Sequence, residues 1–351
     1  MSSASQYHLA FEAPIAKLEE HLAELEALHS KGRSATSHPP GTLPLDETIR
    51  RMRRELVSAK RDIYANLDPW QTVQVSRHPR RPHTRDYLDL VFDRFLELNG
   101  DRAIGNDMAM VTGLAHLGDR KVMVVGHQKG KNLAERKECN FGCAHPEGYR
   151  KALLKMRLAA KFKLPVVCLI DTPGAYPGIG AEERGQAAII AENLMAMSRI
   201  DTPIVCVVIG EGGSGGALGI GIGDKIAMME HAYYSVISPE GCATILWKGA
   251  EHAPKAAAAL KFTGKDLLGF GVVDEVIAEP LGGAHRDHRE AAATLKSYLV
   301  RSLREIEERP RAGLLDRRYD KFRRIGVYAE AAAAEVEVDA PEGQAALTPV
   351  A

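Results

Sequence analysis

The pattern of apolar residues differs between the N-terminal part of the chain and the rest. Near the N-terminus the apolar positions recur at helical spacing, which predicts an amphipathic helix over residues 13–28. A second, basic helix is predicted over 46–65, after a linker rich in Gly, Ser and Pro at 30–44. Because the first helix has an apolar stripe but no core of its own, we expect this arm to pack against the body of the protein or against another subunit. A hairpin on the surface is an equally good interpretation of the pattern.

Beyond residue 100, short apolar runs alternate with helical patterns. A β-hairpin is predicted over 108–128 and two buried strands at 165–170 and 203–209. Residues 66–84, rich in His, Arg and Pro, are predicted to be a surface loop. The other predicted elements are helices at 85–99, 149–162, 182–198, 215–223, 253–260, 265–268 and 285–308, and strands at 225–230, 233–237 and 272–277. Strands that alternate with helices imply parallel pairing with right-handed crossovers. Residues 329–351 are predicted to form a frayed helix and a disordered tail.

Composition and charge narrow the class of protein. The chain has 351 residues, of which 45% are hydrophobic, enough for a sizeable core. Lys and Arg together number 46, as do Asp and Glu, so the formal net charge is zero and does not favour binding to nucleic acid. No apolar run is long enough to span a membrane, and residues 1–10 have no signal-peptide pattern. The sequence therefore predicts a cytoplasmic protein.

The cysteines give little support for a metal site. The five are sparse and contain no C-x-x-C pair. Cys139 and Cys143 lie near His145, but this set is a weak candidate for zinc, and we predict no metal on this chain. Cys168 and Cys206 fall in apolar strands and are expected to be buried small hydrophobic residues.

A glycine-rich run at 208–223 dominates the sequence. An apolar strand enters it, and a helix of small residues is expected to begin near Gly215. Glycines at a strand-to-helix turn let backbone N–H groups approach a ligand closely, and the helix N-terminus adds unsatisfied donors. The run therefore predicts a nest of amides that stabilises an anion or a developing oxyanion.

Three interpretations compete for this run, beside a purely structural tight turn. Gly210, Gly212 and Gly215 match the dinucleotide-binding fingerprint, with Glu230 where a ribose-binding acid is expected. Gly212-x-Ser214-x-Gly216 matches a nucleophile elbow, with Ser214 as the attacking group. The third interpretation uses only the main-chain amides of Gly215 and Gly216 as an oxyanion hole. A P-loop is excluded because no Lys-Ser or Lys-Thr follows the glycines.

A second loop with Pro and Gly follows the preceding buried strand. It reads Asp-Thr-Pro-Gly-Ala-Tyr-Pro-Gly at 171–178. Open parallel sheets bind ligands at the carboxyl ends of their strands, so both loops are expected to line one crevice. This pairing weakens the dinucleotide and nucleophile interpretations, since neither needs a second loop of this kind.

The two loops together resemble the biotin-dependent carboxyltransferases of the crotonase superfamily, especially those of bacterial acetyl-CoA carboxylases. The runs that carry the closer resemblance are 171–185, 209–217, 235–241 and 279–286, and 263–268 with 271–274 resembles the end of a crotonase-type core. The resemblance covers roughly residues 46–305. It implies an α/β fold of the ClpP/crotonase type, a spiral core of repeated ββα units with an N-terminal helical arm and a C-terminal helix plus flexible tail. The implied division is an arm and linker at 1–45, a carboxyltransferase domain at 46–305 with its core at about 85–285, and a helix and tail at 306–351.

The resemblance also implies a reaction, in which a carboxyl group passes from carboxybiotin to acetyl-CoA to give malonyl-CoA for fatty acid synthesis. By resemblance, the amides of Gly215 and Gly216 stabilise the ureido oxyanion of biotin. The crevice would further be lined by Gly174, Ala175, Tyr176, Gly212 and Gly213, although Tyr176 fits ordinary packing equally well. No cofactor is implied as bound to this chain, because carboxybiotin and acetyl-CoA are substrates.

Partners follow from the same resemblance. A homologous beta subunit is expected to supply a second oxyanion hole and to carry a zinc ribbon, in a heterotetramer of two alpha and two beta chains. A biotin carboxyl carrier protein would bring the carboxybiotin, and a biotin carboxylase would bind and use ATP. Two other classes stay open from the residues alone: a Ser214 hydrolase and a non-catalytic binding scaffold.

Three further side chains need an interpretation. Lys129 and Lys131 follow a predicted strand and could meet the phosphates of CoA, although solvated lysines are the more common outcome. Ser238-Pro239-Glu240 has the order of a helix start, so we interpret Glu240 as structural.

Overall fold

The computed structural model describes residues 7–30 and 44–326. Most of the predicted linker at 30–44 and the predicted tail at 329–351 lie outside these ranges. The strands are β1 Arg94–Glu97, β2 Met110–Leu117, β3 Arg120–His127, β4 Val166–Thr172, β5 Ile204–Gly213, β6 Lys225–Met229, β7 Tyr233–Ser235 and β8 Glu275–Ile277. The helices are α1 Ala13–Ser30, α2 Leu45–Ala65, α3 Pro69–Ser76, α4 Thr84–Val91, α5 Leu133–Glu138, α6 Pro146–Lys161, α7 Ile179–Glu183, α8 Gln186–Arg199, α9 Ser214–Leu218, α10 Pro239–Trp247, α11 Ala253–Leu260, α12 Gly264–Gly269, α13 His288–Glu307 and α14 Leu314–Arg323.

The strands form one mixed sheet in the order β1-β2-β3-β4-β5-β6-β8, with β7 paired to the end of β5. The β1-β2-β3 part is antiparallel, as the predicted hairpin requires, and β3, β4, β5, β6 and β8 run parallel. Every residue of β4 and β5 is buried, which places them in the centre of the core. Helix α6 packs on β2, β3 and α8, and α13 packs on α4, β5 and β8. The carboxyl ends of the two central strands therefore lie side by side.

Two predicted segments between residues 66 and 99 were wrong. The predicted loop contains α3, which begins with a capping box: the carboxylate of Asp68 accepts from the amide of Gln71, and the Gln71 side chain accepts from the amide of Asp68. The predicted helix 85–99 stops at Val91, and residues 94–97 form β1 because they pair with β2. Cross-strand pairing outweighed the helical pattern of the local sequence.

Three predicted elements near the glycine loops also differ from the structure. The predicted helix 182–198 is two helices, because Gly185 adopts a left-handed conformation with φ 81° between α7 and α8. The predicted strand 203–209 extends to residue 213, and the predicted helix 215–223 is the short α9.

The N-terminal arm packs against the body of the protein. Helices α1 and α2 lie against each other, and Glu12, just before α1, is fully buried. Its carboxylate accepts from the hydroxyl of Tyr64 (2.9 Å) and from the guanidinium of Arg286 (2.6 Å). An ion pair between the arm and the segment before α13 thus fixes the arm in place.

Glu12, His78 and His285 place potential metal-ligand atoms within 4.8 Å of one another. The contacts of these residues favour docking of the arm over metal binding. Nδ1 of His78 accepts from the amide of Arg80, so the neutral ring carries its proton on Nε2. Arg286 already neutralises Glu12.

Candidate active site

The first half of the glycine run belongs to a strand. Residues 210–213 are the last four of β5, and residues 211–213 pair in parallel with β7. A Cβ atom on Gly212 would lie 2.8 Å from the ring of Tyr234, so the strands approach this closely only because glycine has no side chain. The dinucleotide interpretation was wrong, since Gly210 and Gly212, which it places in a tight turn, lie within the strand β5.

The chain turns at Ser214, which has φ 50°, and α9 starts there. The amides in the first turn of an α-helix have no intrahelical acceptor, and those of Gly215 and Gly216 belong to this turn. The carbonyl of Gly215 accepts from the amide of Gly219 (2.9 Å), and that of Gly216 accepts from the hydroxyl of Tyr149 (3.1 Å). The Gly215 carbonyl shares a peptide plane with the Gly216 amide, so its hydrogen bond to Gly219 fixes the orientation of that predicted oxyanion-hole donor.

The two predicted loops touch through their backbones. A Cβ on Gly213 would lie 2.1 Å from the carbonyl oxygen of Pro173, and one on Gly216 would lie 2.4 Å from the amide nitrogen of Ala175. The structure thus brings Gly213 and Gly216 together with the loop that contains Gly174 and Ala175. Gly215 differs, because the nearest atom to a Cβ on this residue would be 4.0 Å away.

Tyr176 lies at the exposed edge of this crevice. Its ring stacks on His145 with centroids 4.1 Å apart, and about a third of the residue is exposed. The side-chain amide of Gln186 donates to its carbonyl (3.1 Å). The position fits both interpretations given to Tyr176, as crevice lining and as packing.

A buried network of charged side chains lies beside the loops, and the sequence interpretation missed it. Lys129 donates to Asp171 (2.6 Å) and to Glu211 (2.5 Å), and 12% of its side chain is exposed. Burial alone would lower the pKa of Lys129, but these two carboxylates outweigh it and raise the pKa. The interpretation of Lys129 as a solvated side chain was wrong, and its contact with CoA phosphates stays a prediction, which its two carboxylate partners do not favour. Lys131 is exposed and pairs with Asp86.

The same network fixes the end of β5. The amide of Glu211 donates to Asp171 (2.9 Å), and the carboxylate of Glu211 accepts from Arg77 (2.6 Å) and from the hydroxyl of Tyr233 (2.7 Å). Burial alone would raise the pKa of Glu211, but Lys129 and Arg77 outweigh burial and lower it to about 2. Glu211 is therefore ionised at neutral pH and anchors the residues just before the glycine turn.

Glu240 has the structural role predicted for it. The hydroxyl of Ser238 accepts from the amide of Gly241 (3.1 Å), and Pro239 is the first residue of α10. Glu240 follows in the first turn and pairs with Arg77, which links α10 to the charged network.

An apolar groove opens on the exposed side of the turn. It has a volume of about 450 Å³ and lies against Ser214 and Gly215. Its walls include Leu218, Tyr234 and Phe322, and its lining contains no histidine, aspartate or glutamate among the described residues. The Ser214 hydroxyl makes no hydrogen bond within residues 7–30 and 44–326, so the groove shows no base for this serine.

The cysteine-based zinc hypothesis gains no support from the contacts. Cys139 is buried, and burial raises the pKa of its thiol to about 11, which disfavours the thiolate that binds zinc. Nδ1 of His145 is hydrogen-bonded to the side chain of Asn140 (2.9 Å). Cys168 and Cys206 are fully buried, as predicted, and they are paired residues on adjacent strands.

In the part of the chain that the structure describes, no helix combines the length and apolarity that crossing a membrane requires.

Comparisons with known proteins give a consistent picture. The family model described as "Acetyl co-enzyme A carboxylase carboxyltransferase-like" matches residues 8–326. The acetyl-coenzyme A carboxylase carboxyl transferase subunit alpha of Rhodopirellula baltica is 59% identical over 92% of this chain and 98% of its own length. The protein of the same name from Methylococcus capsulatus is 51% identical over 92% of this chain and 98% of its own length.

A solved structure agrees on the fold. The beta subunit of P. aeruginosa geranyl-CoA carboxylase superposes with a TM-score of 0.52 at 17% identity, over 70% of this chain and 46% of that one. The sheet and the paired glycine loops thus define a carboxyltransferase of the crotonase-like fold, as the sequence predicted. The chain belongs to the acetyl co-enzyme A carboxylase carboxyltransferase family.

Proposed function

We propose that this chain acts as the alpha subunit of the carboxyltransferase, which moves a carboxyl group from carboxybiotin to acetyl-CoA, and that it supplies half of the active site. The observation that carries this proposal is the pair of first-turn amides at Gly215 and Gly216, packed against the 173–175 loop. In the proposed reaction the N–CO₂ bond of carboxybiotin breaks, and the ureido group that remains takes the α-proton of acetyl-CoA. The resulting enolate attacks the released CO₂ and gives malonyl-CoA.

The amides would act where negative charge develops. Loss of CO₂ places charge on the ureido oxygen, and a fixed donor aimed at such an oxygen is worth roughly 3 kcal/mol. Gly215 is the more accessible of the two glycines, and Gly216 is buried with its carbonyl bound by Tyr149. Because biotin's own nitrogen takes the proton, the mechanism needs no side-chain base. Gly174, Ala175, Tyr176, Gly212 and Gly213 would line or support the same crevice.

A second subunit is part of the proposal, because the enolate oxygen of the thioester needs its own donors. The residues beside the groove suit a partner: Val236 and Leu218 line the groove, with 77% and 40% of their surface exposed. Apolar surface of this kind is typical of protein interfaces. We infer a homologous beta subunit that carries the zinc, in a heterotetramer of two alpha and two beta chains.

The remaining parts of the proposal rest on the family. A biotin carboxyl carrier protein would present carboxybiotin, and a separate biotin carboxylase would bind and consume ATP. We propose a cytoplasmic location, and the division of the chain at residues 45 and 305 stays a prediction.

The test is malonyl-CoA decarboxylation with free biotin as acceptor, measured with this chain, the beta subunit and their mixture. We expect turnover only in the mixture, because each subunit provides one of the two oxyanion holes. Full activity of the beta subunit without this chain would contradict the proposal.

A serine hydrolase is the second candidate, since the left-handed conformation of Ser214 between a strand and a helix is also that of a nucleophile elbow. We expect Ser214→Ala to keep the carboxyl-transfer rate of the mixture within about threefold, because no described residue activates the hydroxyl. A serine-directed fluorophosphonate probe should leave the unmodified chain unlabelled. Labelling that disappears in Ser214→Ala would favour the hydrolase instead.

A further inference from the structure

Helix α9, which carries the two proposed oxyanion-hole amides, is too short to be stable by itself. It has five residues, and an isolated helix of fewer than about 12 residues is marginal in water. Two of the five are Gly215 and Gly216, and glycine is the poorest helix former after proline. The conformation of α9 therefore depends on contacts with the rest of the fold.

Asn193 makes one of these contacts, at the end of α9. It lies on α8, is fully buried, and donates from its side-chain amide to the carbonyls of Gly219 (2.9 Å) and Tyr149 (3.1 Å). Because both partners are acceptors, the nitrogen of the Asn193 amide must face them. Asn193 is the only described residue that is hydrogen-bonded to the Gly219 carbonyl.

Gly219 connects Asn193 to the proposed oxyanion hole. The amide of Gly219 donates to the carbonyl of Gly215 (2.9 Å), which belongs to the same planar peptide group as the N–H of Gly216. The ring of Tyr149 lies on another side of Gly219, where a Cβ atom would be 2.6 Å from it. Asn193 thus holds Gly219 by its carbonyl, and Gly219 holds the peptide that contains one of the two proposed donors.

Tyr149 gives α9 a second support, but one that has a neighbour of similar chemistry. Its hydroxyl donates to the carbonyl of Gly216 (3.1 Å). The ring of His127 lies near the same carbonyl and is neutral at pH 7, because burial lowers the pKa of His127 to about 3. A neutral imidazole still has one N–H to donate. The Gly219 carbonyl has no such second neighbour, so α9 should depend more on Asn193 than on Tyr149.

Stability of the core does not explain why an amide stands at residue 193. The Oδ1 atom of Asn193 is buried and has no partner among the described residues. An apolar side chain would instead leave the Gly219 carbonyl unpaired, while the carbonyl of Tyr149 lies inside α6 and has a helical partner. Either way one buried acceptor stays unpaired, which destabilises the fold to a similar extent. What the amide adds is a fixed position for Gly219.

We propose that Asn193 is a positioning residue for the oxyanion hole, which acts through Gly219 on the peptide between Gly215 and Gly216. This inference rests on the proposed carboxyl-transfer function. Without Asn193 the N–H of Gly216 is still present, but its direction varies, and a hydrogen bond weakens steeply when it is misaligned. Because the donor acts on charge that develops in the transition state, the loss should appear in kcat and not in KM.

The first test is hydrogen–deuterium exchange of the full chain, which needs no turnover. In Asn193→Ala we expect the amide of Gly219 to exchange at least about tenfold faster, because local opening of the turn becomes easier. The matched control is Met197→Ala, which removes a larger, fully buried side chain one turn further along α8. It should leave exchange of this amide within about twofold of the unmodified chain, because it opens a cavity away from α9. Unchanged protection in Asn193→Ala, or equal acceleration in both variants, would overturn the proposal.

The second test is turnover of the alpha–beta mixture with malonyl-CoA and free biotin. We expect Asn193→Ala to lower kcat by about tenfold to a hundredfold, less than the complete loss of a donor, with KM within about twofold. Met197→Ala should keep its kcat although its melting temperature falls, and Tyr149→Phe should lose less activity than Asn193→Ala.

The two tests separate this inference from the proposed reaction. If the unmodified mixture turns over and Asn193→Ala retains its kcat, or loses activity only through a higher KM, the positioning role is refuted and the reaction stands. If the unmodified mixture does not turn over, the proposed reaction fails, and hydrogen exchange alone decides whether Asn193 holds the turn.

Discussion

Replacing Gly215 with proline is expected to lower the kcat of the alpha–beta mixture by about a hundredfold to a thousandfold, the cost of removing one oxyanion-hole donor. Proline deletes the N–H of Gly215, while the first turn of a helix tolerates the ring. A Cβ atom at this position would meet no atom outside its own helical turn closer than 4.0 Å, so the position accepts a substituent at Cα. Assembly with the beta subunit and the KM for malonyl-CoA should change far less than kcat.

The matched control is Gly215→Ala, which adds a Cβ but keeps the N–H, and it should retain most of the turnover. Gly216 offers no such control, because any Cβ there would lie 2.4 Å from the backbone of Ala175. Proline also restricts the preceding Ser214, so a melting curve of each variant is needed. Equal loss of turnover in the alanine and proline variants would show that shape at residue 215 matters and that its amide does not act.

Replacing Lys129 with methionine should lower the free energy of unfolding by about 3–5 kcal/mol, the range seen when one partner of a buried ion pair is removed. Methionine has nearly the length of lysine but leaves Asp171 and Glu211 with less positive charge in a buried setting. The measurement is urea unfolding of the chain at pH 7. Turnover should also fall, because these carboxylates fix the end of β5 ahead of the glycine turn.

Lys131→Met is the control for that variant. It removes the same functional group two residues away, from an exposed pair with Asp86, and should cost less than about 1 kcal/mol because solvent screens exposed pairs. Combining Lys129→Met with Asp171→Asn should recover part of the lost stability, since one of the buried charges is removed with its partner. If the Lys129 and Lys131 variants unfold at the same urea concentration, the buried network does not stabilise the fold.

The strands and loops that carry the site could be predicted because their signals are local. The buried strands that precede 171–178 and 210–216 are short apolar runs, and Pro and Gly mark the turns after them. The role predicted for the amides at residues 215 and 216 needs only the backbone, so a glycine pattern was enough to propose it. Helix α3 was also within reach, since Asp68-Pro69-x-Gln71 is a helix start that was not used.

The charged network could not be predicted because its members are far apart in the sequence. Glu211 is 82 residues from Lys129 and 134 from Arg77, and pairs over such distances follow from the packing of the whole fold. The one signal was Glu211 itself, a carboxylate inside a glycine-rich strand end. The extension of β5 through residues 210–213 was missed for a related reason, since pairing with β7 holds residues of low strand propensity in the sheet.

The direct backbone contact between the two glycine loops has a consequence for how this enzyme family can diversify. At residues 213 and 216 no side chain fits, so mutation has almost nothing to vary on this wall of the crevice. We expect new acyl-chain preferences to arise through changes in the partner subunit or in the side chains of the groove, at positions such as Leu218 and Phe322. We therefore expect the wall formed by the two glycine loops to change little among enzymes with different substrates. Substitutions that alter substrate preference should lie in the groove and in the partner subunit.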